Sequence, residues 1–60
     1  MTRDQLLDRA LARFEELHKH LKAARAAPRA ERPELAERAM RAGRKAIEAA
    51  ELFYRSSGAR

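Results

Sequence analysis

The sequence contains no cysteine, tryptophan, valine or asparagine, and it has only two prolines, two glycines and three aromatic residues among 60. The absence of cysteine excludes disulfide bonds and thiolate metal sites. No apolar run approaches the roughly 20 residues of a membrane span, so we expect none. Charged side chains occur throughout residues 1–11, unlike a signal peptide. We therefore expect a cytoplasmic location.

The apolar content of the chain is weak, because 14 of its hydrophobic residues are alanine. A chain of this length forms at most one domain, and such a core rarely supplies more than roughly 3–5 kcal/mol. With disulfides excluded, association with another chain is the common remaining source of stability. Abundant alanine and arginine fit both a GC-rich genome and an engineered (de novo) helical sequence, and the sequence leaves both origins open.

A first helix is predicted over residues 3–26. Between Leu7 and Ala24, apolar residues recur at spacings of three and four, as on one face of a helix. Thr2 and Gln5 have the spacing of a capping box, in which each side chain bonds to the other residue's backbone amide. The helix should end before a connection at residues 27–32.

A second helix is predicted over residues 33–56. Pro28 cannot continue the first helix, because it lacks an amide hydrogen and its ring clashes in a helix interior. Pro33 suits the first turn of the second helix, where an amide hydrogen is not needed. Gly58 suits the helix end, followed by a frayed tail that includes residues 57–60. Pairs of opposite charge are expected on the outer face: Glu34–Arg38, Glu37–Arg41, Arg44–Glu48 and Glu51–Arg55.

Two helices of similar length and a short connection predict an all-α fold, an antiparallel two-helix hairpin. Two helices alone form a single layer, which leaves one side of each apolar stripe in water. This favours a homodimer or higher homo-oligomer forming a four-helix bundle. The residues expected in the core and interface share heptad-like spacing: Leu7, Leu11, Phe14, Leu17, Leu21, Ala36, Met40, Gly43, Ile47, Ala50, Phe53 and Tyr54.

The expected contact between the helices follows from the position of the turn. A turn near residues 30–31 pairs large residues of the first helix with the stripe of the second: Leu21 with Met40, Phe14 with Ile47, Leu11 with Ala50 and His18 with Gly43. Ala39 and Ala46 lie beside this stripe. We expect them to remain partly exposed, together with Leu6, Leu35 and Phe53, and Leu52 is a further candidate.

His18 is the first candidate ligand-binding residue. Gly43 is predicted opposite it and Met40 nearby, which allows a pocket for a ligand, haem or a metal in the bundle core. Glu15 and His18 also share the Glu-x-x-His spacing of di-iron bundles. The simpler interpretation is that Gly43 makes room for the imidazole, because one histidine without convergent carboxylates is a poor metal site. We therefore expect no metal and no cofactor.

The second candidate site is the basic loop end. Residues 19–45 hold nine lysines or arginines and three acids, so the net positive charge lies there. Such a patch can bind phosphates, and the candidate residues are Arg25, Arg29, Arg38, Arg41, Arg44 and Lys45. No nucleic-acid-binding motif or stacking aromatic accompanies them, and a solvated helix face is the competing interpretation.

No catalytic residue is predicted, because Ser56 and Ser57 have no histidine placed to act as a base. The sequence therefore predicts a protein that is not an enzyme. Its expected function is that of a self-assembling hairpin, a protein–protein interaction module whose partner is its own copy or another helical protein. Nucleic-acid binding through the basic end is the first alternative. Ligand, haem or metal binding at His18 is the second.

Overall fold

The computed structural model describes residues 2–58 and shows two α-helices packed side by side. Helix α1 spans Arg3–Ala26 and helix α2 spans Arg32–Ser56, and a short 3-10 turn at Arg29–Glu31 lies between them. No strand occurs within this part of the chain. The predicted all-α helical hairpin is confirmed.

The N-terminus of α1 has the predicted capping box. The Thr2 amide donates to Gln5 Oε1 at 2.9 Å, and the Gln5 amide donates to Thr2 Oγ1 at 3.1 Å. These two bonds satisfy amides that have no partner inside the helix. At the other end, Ala27 is extended (φ −78°, ψ 154°), as expected for a residue that precedes proline. Local sequence thus determines both ends of α1.

Helix α2 begins one residue earlier than predicted, at Arg32, and Pro33 lies in its first turn. The Arg32 Nε donates to the Ala27 carbonyl at 3.3 Å, across the connection. At the C-terminus Gly58 has a φ of +79°, and its amide donates to the Arg55 carbonyl at 3.2 Å. A positive φ favours glycine, so Gly58 ends the helix as predicted. Of the tail that we expected to fray, residues 59–60 lie outside the described residues.

The buried core consists of alanine alone. Among residues 2–58 the buried side chains are Ala10 of α1 and Ala39, Ala42, Ala46 and Ala49 of α2, which we call the alanine seam. Ala46 has no exposed surface at all. Because alanine carries no atom beyond Cβ, the two backbones can approach closely along the seam. Leu6, Leu17, Leu35 and Phe53 are half-buried.

The predicted contact stripe on α2 is wrong. Met40, Ile47 and Tyr54, which we expected to face α1, are 61%, 57% and 60% exposed, whereas Ala39 and Ala46, which we expected to be partly exposed, are buried. Two helices alone cannot enclose a large side chain, because its far side remains in water. An alanine between two backbones is small enough to be enclosed completely.

Each helix is rotated about its axis relative to the predicted orientation, and the other predicted core positions are affected in the same way. On α1, Leu7, Leu11, Phe14 and Leu21 are 38–54% exposed. Leu17 is the half-buried member of the predicted α1 set, and on α2 Ala36 is exposed while Gly43, Ala50 and Phe53 are half-buried. The large apolar side chains therefore lie beside the hairpin core rather than in it.

The hairpin is a flat rod with extents of 44 × 18 × 13 Å. The thin dimension is a single layer of helix, so each broad side of the rod displays side chains from both helices. Neither helix in residues 2–58 combines the length and the apolar character needed to traverse a bilayer.

Candidate interaction surfaces

One broad side of the hairpin carries two parallel rows of large apolar side chains. Leu7, Phe14 and Leu21 are seven residues apart, as are Met40, Ile47 and Tyr54, and such spacing of about two turns places them on one side of their helix. Leu11 lies next to the α1 row, one turn from Leu7. Leu21 and Met40 line the same groove between the helices, which places the two rows side by side. We call this surface the apolar face: Leu7, Leu11, Phe14 and Leu21 of α1, and Met40, Ile47 and Tyr54 of α2.

A shallow groove of about 380 Å³ runs between the rows near the connection, and every residue that lines it is apolar. Gly43 forms part of its floor. A Cβ built on Gly43 would lie 3.7 Å from Leu17 Cδ1 and 3.9 Å from Leu17 Cδ2, which is ordinary contact. Gly43 therefore packs beside Leu17 and leaves space above it, open to a side chain from outside.

The predicted pocket of His18, Gly43 and Met40 does not form within the hairpin. His18 is exposed and lines a different depression of about 460 Å³, with Leu11, Phe14, Glu15 and Lys19. The neighbour of Gly43 is Leu17, one residue earlier in the chain, because α1 is rotated from the predicted register. Within residues 2–58, no three His, Cys, Asp or Glu side chains are grouped to hold a metal ion.

The opposite broad side carries a cleft of about 540 Å³ between the helices. Lys45 and Ile47 lie about 200° apart around α2, so the cleft and the apolar face flank the alanine seam on opposite sides. We call this surface the basic cleft, because five cations line it: Arg9 and Arg13 of α1, and Arg38, Arg41 and Lys45 of α2. Ala12, Glu16, His20 and Ala42 complete the lining.

Positive charge dominates the basic cleft. Within residues 2–58, Glu16 is the one carboxylate that lines the cleft, and its Oε1 lies 3.6 Å from Nε2 of His20. Arg41 pairs with Glu37, with 3.4 Å between Nη2 and Oε1. The Glu37–Arg41 pair is largely exposed, and such pairs contribute at most about 1 kcal/mol, whereas His20 of the other pair is half-buried. Among residues 2–58, these two carboxylates oppose five cations, so the cleft keeps an excess of positive charge.

The predicted phosphate-binding residues are divided between surfaces. Arg38, Arg41 and Lys45 line the basic cleft, whereas Arg25, Arg29 and Arg44 do not. The cations thus converge near the middle of the hairpin and not at its loop end. Sequence reasoning missed Arg9 and Arg13 of α1, although these two residues are four apart and therefore share one side of the helix.

Two of the four acid–base pairs predicted along α2 form. They are Glu37–Arg41 and Glu51–Arg55, the latter with 3.7 Å between Nη2 and Oε2. Within residues 2–58, neither Glu34 with Arg38 nor Arg44 with Glu48 makes an ion pair. Arg38 therefore points its charge into the cleft without a carboxylate partner on its own helix.

No protein-family model, curated protein or solved structure matches this chain. The apolar face and the basic cleft are therefore the features of the molecule that bear on its function.

Proposed function

We propose that the hairpin is an assembly module that binds a second copy of itself through the apolar face and forms a four-helix bundle. One observation carries the proposal: among residues 2–58 the hairpin encloses only alanine, and seven of the eight exposed large apolar side chains, all except Leu52, lie on one side. Contiguous exposed apolar surface of this kind marks an interaction site. The proposed mechanism is burial of the apolar face, with charged side chains at its edges.

The broad side that carries the apolar face is large enough for a dimer interface. The broad side measures 44 by 18 Å, roughly 790 Å². Stable protein–protein interfaces bury about 800 Å² on each partner, so a copy that covers this side reaches the usual size. A flat surface that extends over the full length of both helices also suits a second rod of the same length.

The energetics give a moderate affinity. Full burial of a large apolar side chain yields about 1.5–3 kcal/mol, so burying the exposed half of seven such residues yields roughly 10–20 kcal/mol per dimer. Association costs about 4–15 kcal/mol. The middles of these ranges differ by about 5 kcal/mol, which corresponds to a dissociation constant on the order of 100 µM.

The charges of the hairpin favour contact between two apolar faces. Glu15 and Lys19, one acid and one base, lie at the edge of the apolar face beside His18, so a second copy meets no excess of like charge there. Two basic clefts would instead oppose five cations with five cations, which like-charge repulsion disfavours. A copy of this chain thus has one side suited to pairing and one suited to water or an anion.

The test is sedimentation equilibrium of the wild-type chain and of Ile47→Glu. The protein concentrations should span the expected dimer dissociation constant of roughly 100 µM. Ile47 is 57% exposed, so a carboxylate at this position is tolerated by the isolated hairpin. In the dimer it would replace two buried isoleucines with two charges. We expect dimerisation to weaken at least about 100-fold.

The matched control is Leu52→Glu. Leu52 is 46% exposed on the same helix but borders the basic side, in a depression with Arg9 and Lys45. The proposal requires the dimer dissociation constant of Leu52→Glu to stay within about threefold of the wild-type value. Equal weakening by both variants would overturn the proposal, and so would a helical wild-type chain that remains monomeric throughout. Met40→Gln, at a residue 61% exposed, supplies a second, uncharged probe of the face.

A further inference from the structure

We propose that the basic cleft binds the phosphate backbone of duplex nucleic acid, without preference for base sequence. This function is separate from self-association, because it uses the other broad side of the hairpin. The observation behind it is that, of the described residues, five cations from two helices and a single carboxylate line one cleft.

The spacing of the cations fits an extended anion better than a single phosphate. On α1, Arg9 and Arg13 are about 6 Å apart along the helix axis, and on α2 the row from Arg38 to Lys45 covers about 10 Å. Duplex DNA carries one negative charge for about every 1.7 Å of its axis. Two parallel rows of cations of this length therefore face several phosphates of one duplex at once.

The lining of the cleft favours a duplex over a single strand. Sequence-independent binders of single strands use aromatic side chains on which successive bases stack. Among residues 2–58, no phenylalanine, tyrosine or tryptophan lines the cleft, and its apolar lining consists of Ala12 and Ala42. Phosphate contacts position a protein on a duplex but do not read the bases, so no sequence preference is expected.

The geometry disfavours an anionic membrane as the partner. Peripheral helices bind membranes by inserting apolar side chains that lie next to their cations. Here the apolar face, with Phe14 and Ile47, lies on the far side of the hairpin from Arg38 and Lys45. When the apolar face is inserted into a membrane, the basic cleft points away from that membrane and cannot contact its anionic headgroups.

The experiment measures fluorescence anisotropy of short labelled DNA duplexes of two unrelated sequences, as a function of salt. With four to five phosphate contacts, log affinity should fall with log salt with a slope of about −4. The affinity should therefore drop roughly 150- to 500-fold between about 50 and 200 mM salt, equally for both sequences. Undetectable binding at the lower salt, or a strong preference for one sequence, would overturn the proposal.

Two double variants with the same change of net charge locate the site. Arg38→Glu with Lys45→Glu alters the cleft, and we expect at least about 100-fold weaker binding at low salt and a salt slope shallower by about 2. Arg25→Glu with Arg44→Glu alters exposed residues outside the cleft. That control should weaken binding less than about 10-fold.

Three results decide the interpretation once circular dichroism has shown that both double variants are helical. Equal losses in the two would mean that net charge, and not the cleft, determines binding, and the proposal would fail. Binding to anionic vesicles that matches duplex binding and is lost in the cleft variant would also overturn it, in favour of a membrane. If the Ile47→Glu variant binds duplex as tightly as wild type does, the result would support binding by the cleft of a single hairpin, without self-association.

Discussion

Replacement of Ala46 by leucine should destabilise the hairpin more than any other alanine-to-leucine change on α2. Ala46 is the side chain with no exposed surface, in the middle of the alanine seam. Its Cβ is enclosed between the two helices. A leucine there adds three carbon atoms where the helices are in contact, so the helices must separate.

The magnitude follows from the size of the core. Added carbons in a well-packed interior typically cost about 1–3 kcal/mol. A core of this size rarely supplies more than about 3–5 kcal/mol, so the change should remove between about a fifth and nearly all of the free energy of unfolding. Helix propensity does not offset this, since leucine is slightly less favourable than alanine.

The assay is urea unfolding followed by far-ultraviolet circular dichroism. Protein is kept at roughly 5 µM, well below the expected dimer dissociation constant, so that association does not contribute. A small domain loses about 1 kcal/mol per molar urea, so the midpoint should move down by about 1–3 M. The control is Ala23→Leu, the same chemical change at an exposed position of α1, which should alter stability by less than about 0.5 kcal/mol.

The result that would refute this reasoning is an Ala46→Leu hairpin as stable as wild type. It would mean that Ala46 does not lie between the helices. The register predicted from the sequence, with Ile47 inward and Ala46 at the edge, would then describe the hairpin better. The experiment thus distinguishes two registers that differ by one position around α2.

Two further predictions concern the helix ends and the glycines. Thr2→Ala removes the acceptor of the Gln5 amide, 3.1 Å away, and should lower the free energy of unfolding by about 1 kcal/mol in the same urea assay, whereas Thr2→Ser should retain most of it. Gly43→Ala should raise stability by roughly 0.5–1 kcal/mol at low concentration, because its Cβ meets Leu17 at an ordinary 3.7 Å and alanine favours helix. Gly58→Ala is the contrasting control: its φ of +79° makes the same change unfavourable by about 1 kcal/mol, and a gain there would contradict the assigned helix end.

The two proposals are compatible in one assembly. If two hairpins pair through their apolar faces, both basic clefts remain on the outside, on opposite sides of the bundle. Each cleft keeps its own set of cations, because Arg13, Arg38 and Lys45 contribute nothing to the apolar face. A dimer would then present two sites for duplex nucleic acid facing away from each other.

Sequence alone determined the helices and where they end. The Thr2–Gln5 capping box, Pro28, Pro33 and Gly58 act within a few residues of themselves, so their effects do not depend on the rest of the fold. The antiparallel hairpin follows from two helices of similar length and a short connection. These features were predicted to within one residue because their causes are local.

Only the tertiary structure decided which side of each helix faces inward. On α2 two neighbouring stripes are apolar, one containing Ala39 and Ala46 and the other Met40 and Ile47, and they differ by about 100° of rotation. Hydrophobic periodicity cannot separate them. The close approach of two backbones does, because it encloses alanine completely and leaves methionine and isoleucine outside. The same rotation brings Arg13 beside the cations of α2, a juxtaposition across distant parts of the chain that no local pattern contains.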